Sequence, residues 1–172
     1  MTRVYVSVGS NIEPETNVSS GLRLLREDFG ELGCSRVYQC EAVGFDGPAF
    51  LNLVVAFDTD LPPRTVIDTL HRIEDRCGRE RDGTKFASRT LDLDLILYGD
   101  LRTRQDGLRL PRDEVLEQAF VLQPLAEIAP SERHPGNGRT FASLWQETSL
   151  NASAAQAKLS VAEDGRLIGA QE

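Results

Sequence analysis

The chain has 172 residues, 40% hydrophobic and 27% charged, with a formal net charge of −8. That length and balance suit one soluble globular domain with a sizeable core, and the acidic surplus argues against a non-specific nucleic-acid binder. Cys34, Cys40 and Cys77 form no CxxC pair, which argues against a disulfide framework or a zinc site and for a reducing compartment.

RVYVSV, residues 3–8, reads as a strand ended by the turn GSN. Its apolar run is too short for a signal-peptide core, and no stretch approaches a membrane span, so the chain is expected in the cytoplasm. In ETNVSSGLRLLREDFG (15–30), Val18, Leu22 and Leu25 recur at helical spacing and Gly30 closes the helix. CSRVYQCEA (34–42) predicts a second strand, VGFDGPA (43–49) a loop, and FLNLVVAFDT (50–59) a third strand. RTVIDTLHRIEDRCG (64–78) places Val66, Leu70 and Ile73 on one helical face and ends at Gly78. RERDGTKFAS (79–88) is a charged loop with little to anchor it, expected to move until ligands bind. RTLDLDLILYG (89–99) is the fourth strand. RDEVLEQAFVLQPLAEIAP (112–130) reads as helical turns interrupted at Pro124. From about Gln146 the chain turns polar and rich in Ala and Ser, with no element assigned. The order β-α-β-β-α-β is that of a ferredoxin-like α+β fold, an antiparallel sheet with helices packed on one side, in one domain over residues 1–172.

The fourth strand carries the strongest chemical signal. Side chains alternate along a strand, so Asp92 and Asp94 share a face, about 7 Å apart. Leu91, Leu93, Leu95 and Leu97 take the other. Charges that block pairing at a sheet edge would explain two such aspartates. Arg79, Arg81, Lys85 and Arg89 crowd just upstream, however, a local reversal of sign in an acidic chain. Carboxylates beside arginines suit a nucleoside triphosphate with magnesium: the carboxylates hold the ion, and guanidinium groups match phosphate oxygens. Neither a Walker loop nor a kinase glycine-rich loop is present in the sequence. Asn52 lies inside an apolar strand, where an amide is costly unless bonded, and its donors and acceptor suit the edge of a heterocycle.

KFASRTLDLDLI (85–96) resembles the signature of the 6-hydroxymethyl-7,8-dihydropterin pyrophosphokinases of folate biosynthesis. VYVSVGSNI, FLNLVV, GRER and AFVLQPLAEIAP resemble further family segments, in order, from residue 4 to about residue 130. The resemblance implies transfer of a pyrophosphoryl group from ATP to the hydroxymethyl oxygen of a reduced pterin, with release of AMP. It implies two magnesium ions on Asp92 and Asp94, with Asp92 also near the acceptor hydroxyl. It puts Arg79 and Arg89 on the ATP phosphates, Arg81 as a gate in the same loop, and His71, Glu74, Leu95 and Arg112 around the nucleotide. Asn52 would bond the pterin edge and Phe120 stack on the ring, with Cys40, Val43 and Phe50 completing that pocket. Phe86 stands where the family often closes the site with a tryptophan.

The sequence departs from the family at several places. Pro111–Arg112 stands where Pro-His is usual, Gln118 where an arginine is usual, and Cys40 where threonine is usual. The loop VGFDGPAF is about one residue short. One cation is thus expected to have moved from position 118 to position 112. Two alternatives remain open: a relative that binds ATP or pterin without turnover or with altered specificity, and an unrelated ferredoxin-like binding module.

Overall fold

The structure, a computed structural model, describes residues 1–42, 44–78 and 90–169. Strand β1 (Thr2–Ser10) is followed by helix α1 (Pro14–Phe29) and by β2 (Gly33–Cys34) and β3 (Val37–Cys40). Next come β4 (Phe50–Thr59), α2 (Pro63–Arg76) and β5 (Asp92–Tyr98). The sequence-predicted second strand is one strand interrupted. Ser35 donates its N–H to the Val54 carbonyl, while its hydroxyl accepts from the Val54 N–H at 3.0 Å. A side chain thus takes over a rung that a backbone carbonyl would supply.

The sheet runs β5-β1-β4-β3, with β2 also on β4, and every pairing is antiparallel. This is the ferredoxin-like arrangement expected from the element order. The first face packs on α1 and α2: Val4, Val6, Val8, Leu53, Val55 and Phe57 meet Val18, Leu22, Leu25, Leu70 and Ile73. Phe57 is 1% exposed and stacks on Phe29 with ring centroids 4.2 Å apart.

A second helical layer covers part of the other face, beyond the one-sided packing expected. It comprises α3 (Glu114–Glu117), α4 (Ala119–Ile128) and α5 (Phe141–Glu147), whose Val115, Val121, Leu122, Leu125 and Phe141 pack on Tyr5, Val54 and Ala56. The break expected at Pro124 falls instead at Gln118, which is extended (φ −124°, ψ 122°) and whose carbonyl accepts from the N–H groups of Val121 and Leu122. Pro124 lies inside α4 and is buried. It cannot donate to the Phe120 carbonyl, but burial of Leu122, Leu125 and Ala126 around it keeps the helix whole. Beyond α5, a short 3₁₀ turn (Ser149–Ser153) leads to β6 (Gln156–Val161) and β7 (Leu167–Gly169). This hairpin adds to the sheet outside β3, in the order β3-β6-β7.

Strand β5 is an edge of the sheet, and two of its backbone groups are satisfied by other elements. The Leu93 N–H donates to the buried Glu74 carboxylate of α2 at 2.8 Å, and the Ile96 carbonyl accepts from the Arg112 N–H at 3.0 Å. Pairing with β1 slips by one residue there: Val6 faces Leu95 and Tyr5 faces Leu97, leaving Ile96 as a bulge. The bulge reverses the alternation. Leu91, Leu93 and Leu95 join the α1/α2 core as expected, but Leu97 turns with Ile96 into the second core, and Tyr98 turns toward the first.

Phe57, stacked and enclosed, is with Phe141 the largest fully buried side chain among the described residues. Phe57→Ala is expected to cost about 3–5 kcal/mol of stability, read by urea denaturation at neutral pH.

Candidate active site

Directly opposed residues in an antiparallel sheet point to the same face. The ladder therefore defines a row across four strands: Asp92 faces Gly9, Gly9 faces Asn52, and Asn52 faces Tyr38. The adjoining rungs are Asp94 opposite Ser7, Ser7 opposite Val54, and Phe50 opposite Cys40. Asp92, Asp94, Asn52, Phe50 and Cys40, separated by up to 54 positions in sequence, thus lie on one face. It is the face that the second helical layer covers only in part.

Gly9 is the low point of this surface. A Cβ there would stand 2.8 Å from Asn52 Oδ1 and 3.8 Å from the Phe50 ring. The Asn52 side chain lies across the space that a larger residue would fill. Asn52 is 5% exposed, and its amide bonds the Cys40 thiol, whose pKa burial holds above the usual value. Phe50 is half-buried and meets Phe45 edge-on, with centroids 6.4 Å apart.

Asp94 meets an unfavourable environment. Burial, then the charge of Asp92, push Asp94 up to about 7; Arg112 opposes them, and Glu74 and Glu114 add to the rise. Arg112 is held in place from two directions. Its N–H is bonded to the bulged Ile96, and its guanidinium grips the Glu114 carboxylate through two hydrogen bonds of 3.1 and 3.0 Å.

Phe120 is half-buried against the second core at the start of α4. The other end of α4 is fixed by a cleft of about 350 Å³, where Ile128, Ala129 and Pro130 meet Arg3, Tyr5, Gly33 and Ala56. Neither Asp92 nor Asp94 lines that cleft. Glu127 of α4 bonds Arg36 and Tyr38, and Gln123 bonds Ala155 beside the Gln39–Gln156 pair, so the helix runs back along β3 toward Cys40, with Phe120 at that end.

Other expected residues fall differently. Leu95 is 5% exposed in the α1/α2 core, on the opposite face from Asp94. Glu74 is buried under β5, accepting from Leu93, and His71 is exposed on α2. Gln118 caps α4 through its carbonyl. Val43, Arg79, Arg81, Lys85, Phe86 and Arg89, and with them the loop 79–88, lie outside the described residues. Among the described residues no cluster of three or more His, Cys, Asp or Glu is arranged to hold a metal by itself. No helix among them is long and apolar enough to cross a membrane.

Residues that the sequence reading passed over complete the face. Tyr38 continues the row, 3% exposed, and bonds Glu127 of α4. Gly9, read as part of a turn, is the gap over which Asn52 lies.

Residues 5–130 match the family described as 7,8-dihydro-6-hydroxymethylpterin-pyrophosphokinase. The chain is 38% identical over 146 residues to the 2-amino-4-hydroxy-6-hydroxymethyldihydropteridine pyrophosphokinase of Pseudomonas aeruginosa, covering 83% of this chain and 89% of that one. It is 40% identical over 119 residues to the enzyme of the same name from Synechocystis sp., covering 69% of this chain and 60% of that one. Among solved structures, a Plasmodium falciparum HPPK-DHPS triple mutant superposes with a TM-score of 0.71 at 11% identity. The match covers 98% of this chain and 48% of that one, a likeness of fold.

The raised pKa of Asp94 makes a stability prediction for the ligand-free chain. The folded state favours the neutral acid, so between about 4 and about 7 it holds a proton that the unfolded chain releases. Stability is then highest below the unfolded value and falls as pH rises through about 7. Asp94→Asn removes this penalty. It is expected to raise stability at pH 8 by about 1–3 kcal/mol, with little change at pH 4, read by urea denaturation at the two values.

Proposed function

The chain belongs to the 7,8-dihydro-6-hydroxymethylpterin-pyrophosphokinase family, and we propose that the face bearing Asp92, Asp94 and Asn52 carries the reaction. The reaction is transfer of pyrophosphate from ATP to the hydroxymethyl group of 6-hydroxymethyl-7,8-dihydropterin, in folate biosynthesis. The acceptor oxygen bonds to the β-phosphorus, the bond from that phosphorus to the oxygen bridging it to the α-phosphorus breaks, and AMP leaves with the bridging oxygen. The hydroxymethyl group loses its proton.

The observation that carries this assignment is the row Asp92–Gly9–Asn52. It sets a carboxylate and a buried amide on one face with only a glycine between them. Asn52 meets the pterin edge, where leaving its buried groups unpaired is costly. Phe120 covers the ring face from α4, with Phe50 and Cys40 bordering the ring from the sheet. Asp92, nearest this pocket across Gly9, stands toward the acceptor hydroxyl. Asp94, one rung further, stands toward the phosphates, with Arg112 opposite.

Magnesium fits this donor set. Two adjacent carboxylates, one pushed up to about 7 by burial and by the charge of its neighbour, are what a hard cation takes from protein, the rest of its shell coming from phosphate and water. Bound there, the ion supplies neutralisation of phosphate charge. Asp92 and Asp94 would hold it, two ions being the expected number. Arg79, Arg81 and Arg89 are proposed to cover the remaining phosphate charge, His71 and Glu74 to border the nucleotide, Leu95 to contribute to its site through its strand, and Val43 to border the pterin. The free thiols of Cys34, Cys40 and Cys77 support a reducing, cytoplasmic setting.

The deciding experiment is AMP formation from ATP, magnesium and 6-hydroxymethyl-7,8-dihydropterin. AMP that depends on the pterin supports the reading; no AMP, or AMP without pterin, overturns it. Asp94→Asn is expected to lower turnover by about a hundredfold or more while the circular dichroism stays native. Wild-type turnover of the variant at limiting magnesium would remove Asp94 from the metal site.

The pocket assignment makes a separate prediction. Gly9→Ala, Asn52→Ala and Phe120→Ala should each weaken pterin binding by about 1–3 kcal/mol, with a smaller effect on an ATP analogue. Calorimetry with each ligand separates these outcomes, and equal losses for both would make the three residues structural.

A further inference from the structure

Helix α4 is tied to the sheet by two polar side chains on the stripe that also carries Phe120. Positions 120, 123 and 127 stand at i, i+3 and i+7, one face of a helix. The Gln123 amide pairs both backbone groups of Ala155: Nε2 donates to the Ala155 carbonyl at 3.0 Å, and Oε1 accepts from the Ala155 N–H at 2.9 Å. Ala155 directly precedes β6, which pairs with β3 through Gln39–Gln156 and Tyr38–Ala157. Glu127, one turn on, accepts three hydrogen bonds from β3 and its approach. Arg36 Nε donates to Oε1 at 2.6 Å, the Arg36 N–H to Oε2 at 3.1 Å, and the Tyr38 hydroxyl to Oε2 at 2.9 Å. Burial, then Glu127, raise the Tyr38 pKa to about 12, so the phenol stays a donor. The Arg36 guanidinium also lies 5.8 Å over the Tyr38 ring.

These contacts close a circuit. Asn52 faces Tyr38 on the ladder, Tyr38 bonds Glu127, and two turns of α4 lead back to Phe120. The β3–β6 ladder, Ala155 and Gln123 make a second path to the same helix. Apolar burial of Val121, Leu122, Leu125 and Ala126 holds α4 down on the sheet, but that force is non-directional. Directed hydrogen bonds on the Phe120 stripe fix rotation about the helix axis, and such rotation is what would swing Phe120 across a ring lying on Asn52.

We propose that Gln123 and Glu127 are positioning residues for the acceptor: by tying α4 to Ala155 and to Arg36 and Tyr38, they set Phe120 over Asn52. The β6 segment, beyond the family-matched residues 5–130, is thereby part of the support of the pterin pocket. The inference rests on the pterin reading of this face.

The test is calorimetry on the full chain with two probes: 6-hydroxymethylpterin in the presence of saturating α,β-methylene-ATP and magnesium, and the ATP analogue alone. Gln123→Ala and Glu127→Ala are expected to raise the pterin Kd about tenfold while the analogue Kd stays within about twofold. Glu127→Gln keeps an oxygen acceptor and is expected to recover most of the affinity. Should Glu127→Ala fail to fold, Tyr38→Phe removes one hydroxyl and is expected to raise the pterin Kd about threefold. Unchanged pterin affinity in the folded variants, or parallel loss of both ligands, overturns the positioning role. A wild-type chain that binds the analogue but not the pterin overturns instead the reading on which it rests.

Discussion

Two like charges on one face of an edge strand repel each other, and much around β5 is arranged to tolerate them. Asp94 is squeezed between burial and Asp92, with Glu74 and Glu114 adding to the strain and Arg112 as the opposing cation. Arg112 faces it because its own N–H completes the bulged Ile96 carbonyl and because Glu114 holds its guanidinium. The bulge therefore has two effects at once. It turns Leu97 into the second core, and it exposes a carbonyl that anchors the compensating charge. Folding alone gains nothing from two such carboxylates. On the function proposed above they are a preformed demand for cation, with instability accepted where activity needs it.

The legible and illegible parts of the chain separate along physical lines. Asp92 and Asp94 were legible because charge in an apolar strand conflicts with burial, and Asn52 because an amide in a core strand needs a partner. The four-strand order followed from local periodicity and turn residues. The phase change at Ile96 was not legible, since the Leu-x-Leu alternation runs unbroken through it; the bulge exists only in the pairing with β1. Pro124 misled for a related reason. Its cost to a helix is local, but the apolar neighbours it is buried among act through tertiary contact and prevail.

Tyr38 and Glu127 were silent because each reads as ordinary. A tyrosine is a normal strand former and a glutamate a normal helix-surface residue; their meaning lies in a bond that spans 89 positions. The C-terminal hairpin, by contrast, had a signal that went unread. Asp164–Gly165 sits between two short strands as a hairpin turn requires, and Gly165 has φ 87°. The surrounding polarity obscured it.

That hairpin also changes how the molecule meets its neighbours. Without it, β3 would present an unpaired backbone edge next to the candidate site, a template for strands of other chains. With β6 laid along β3, the outermost strand among the described residues becomes β7 (Leu167–Gly169), three residues long. So short a rim offers few sites for a foreign strand to dock. The sheet's other margin, β5, is guarded differently, by the Glu74 carboxylate on the Leu93 N–H and by the aspartates themselves. Charges proposed above to serve phosphate chemistry on one flank thus double as protection against self-association, and an appended strand gives the opposite flank the same protection.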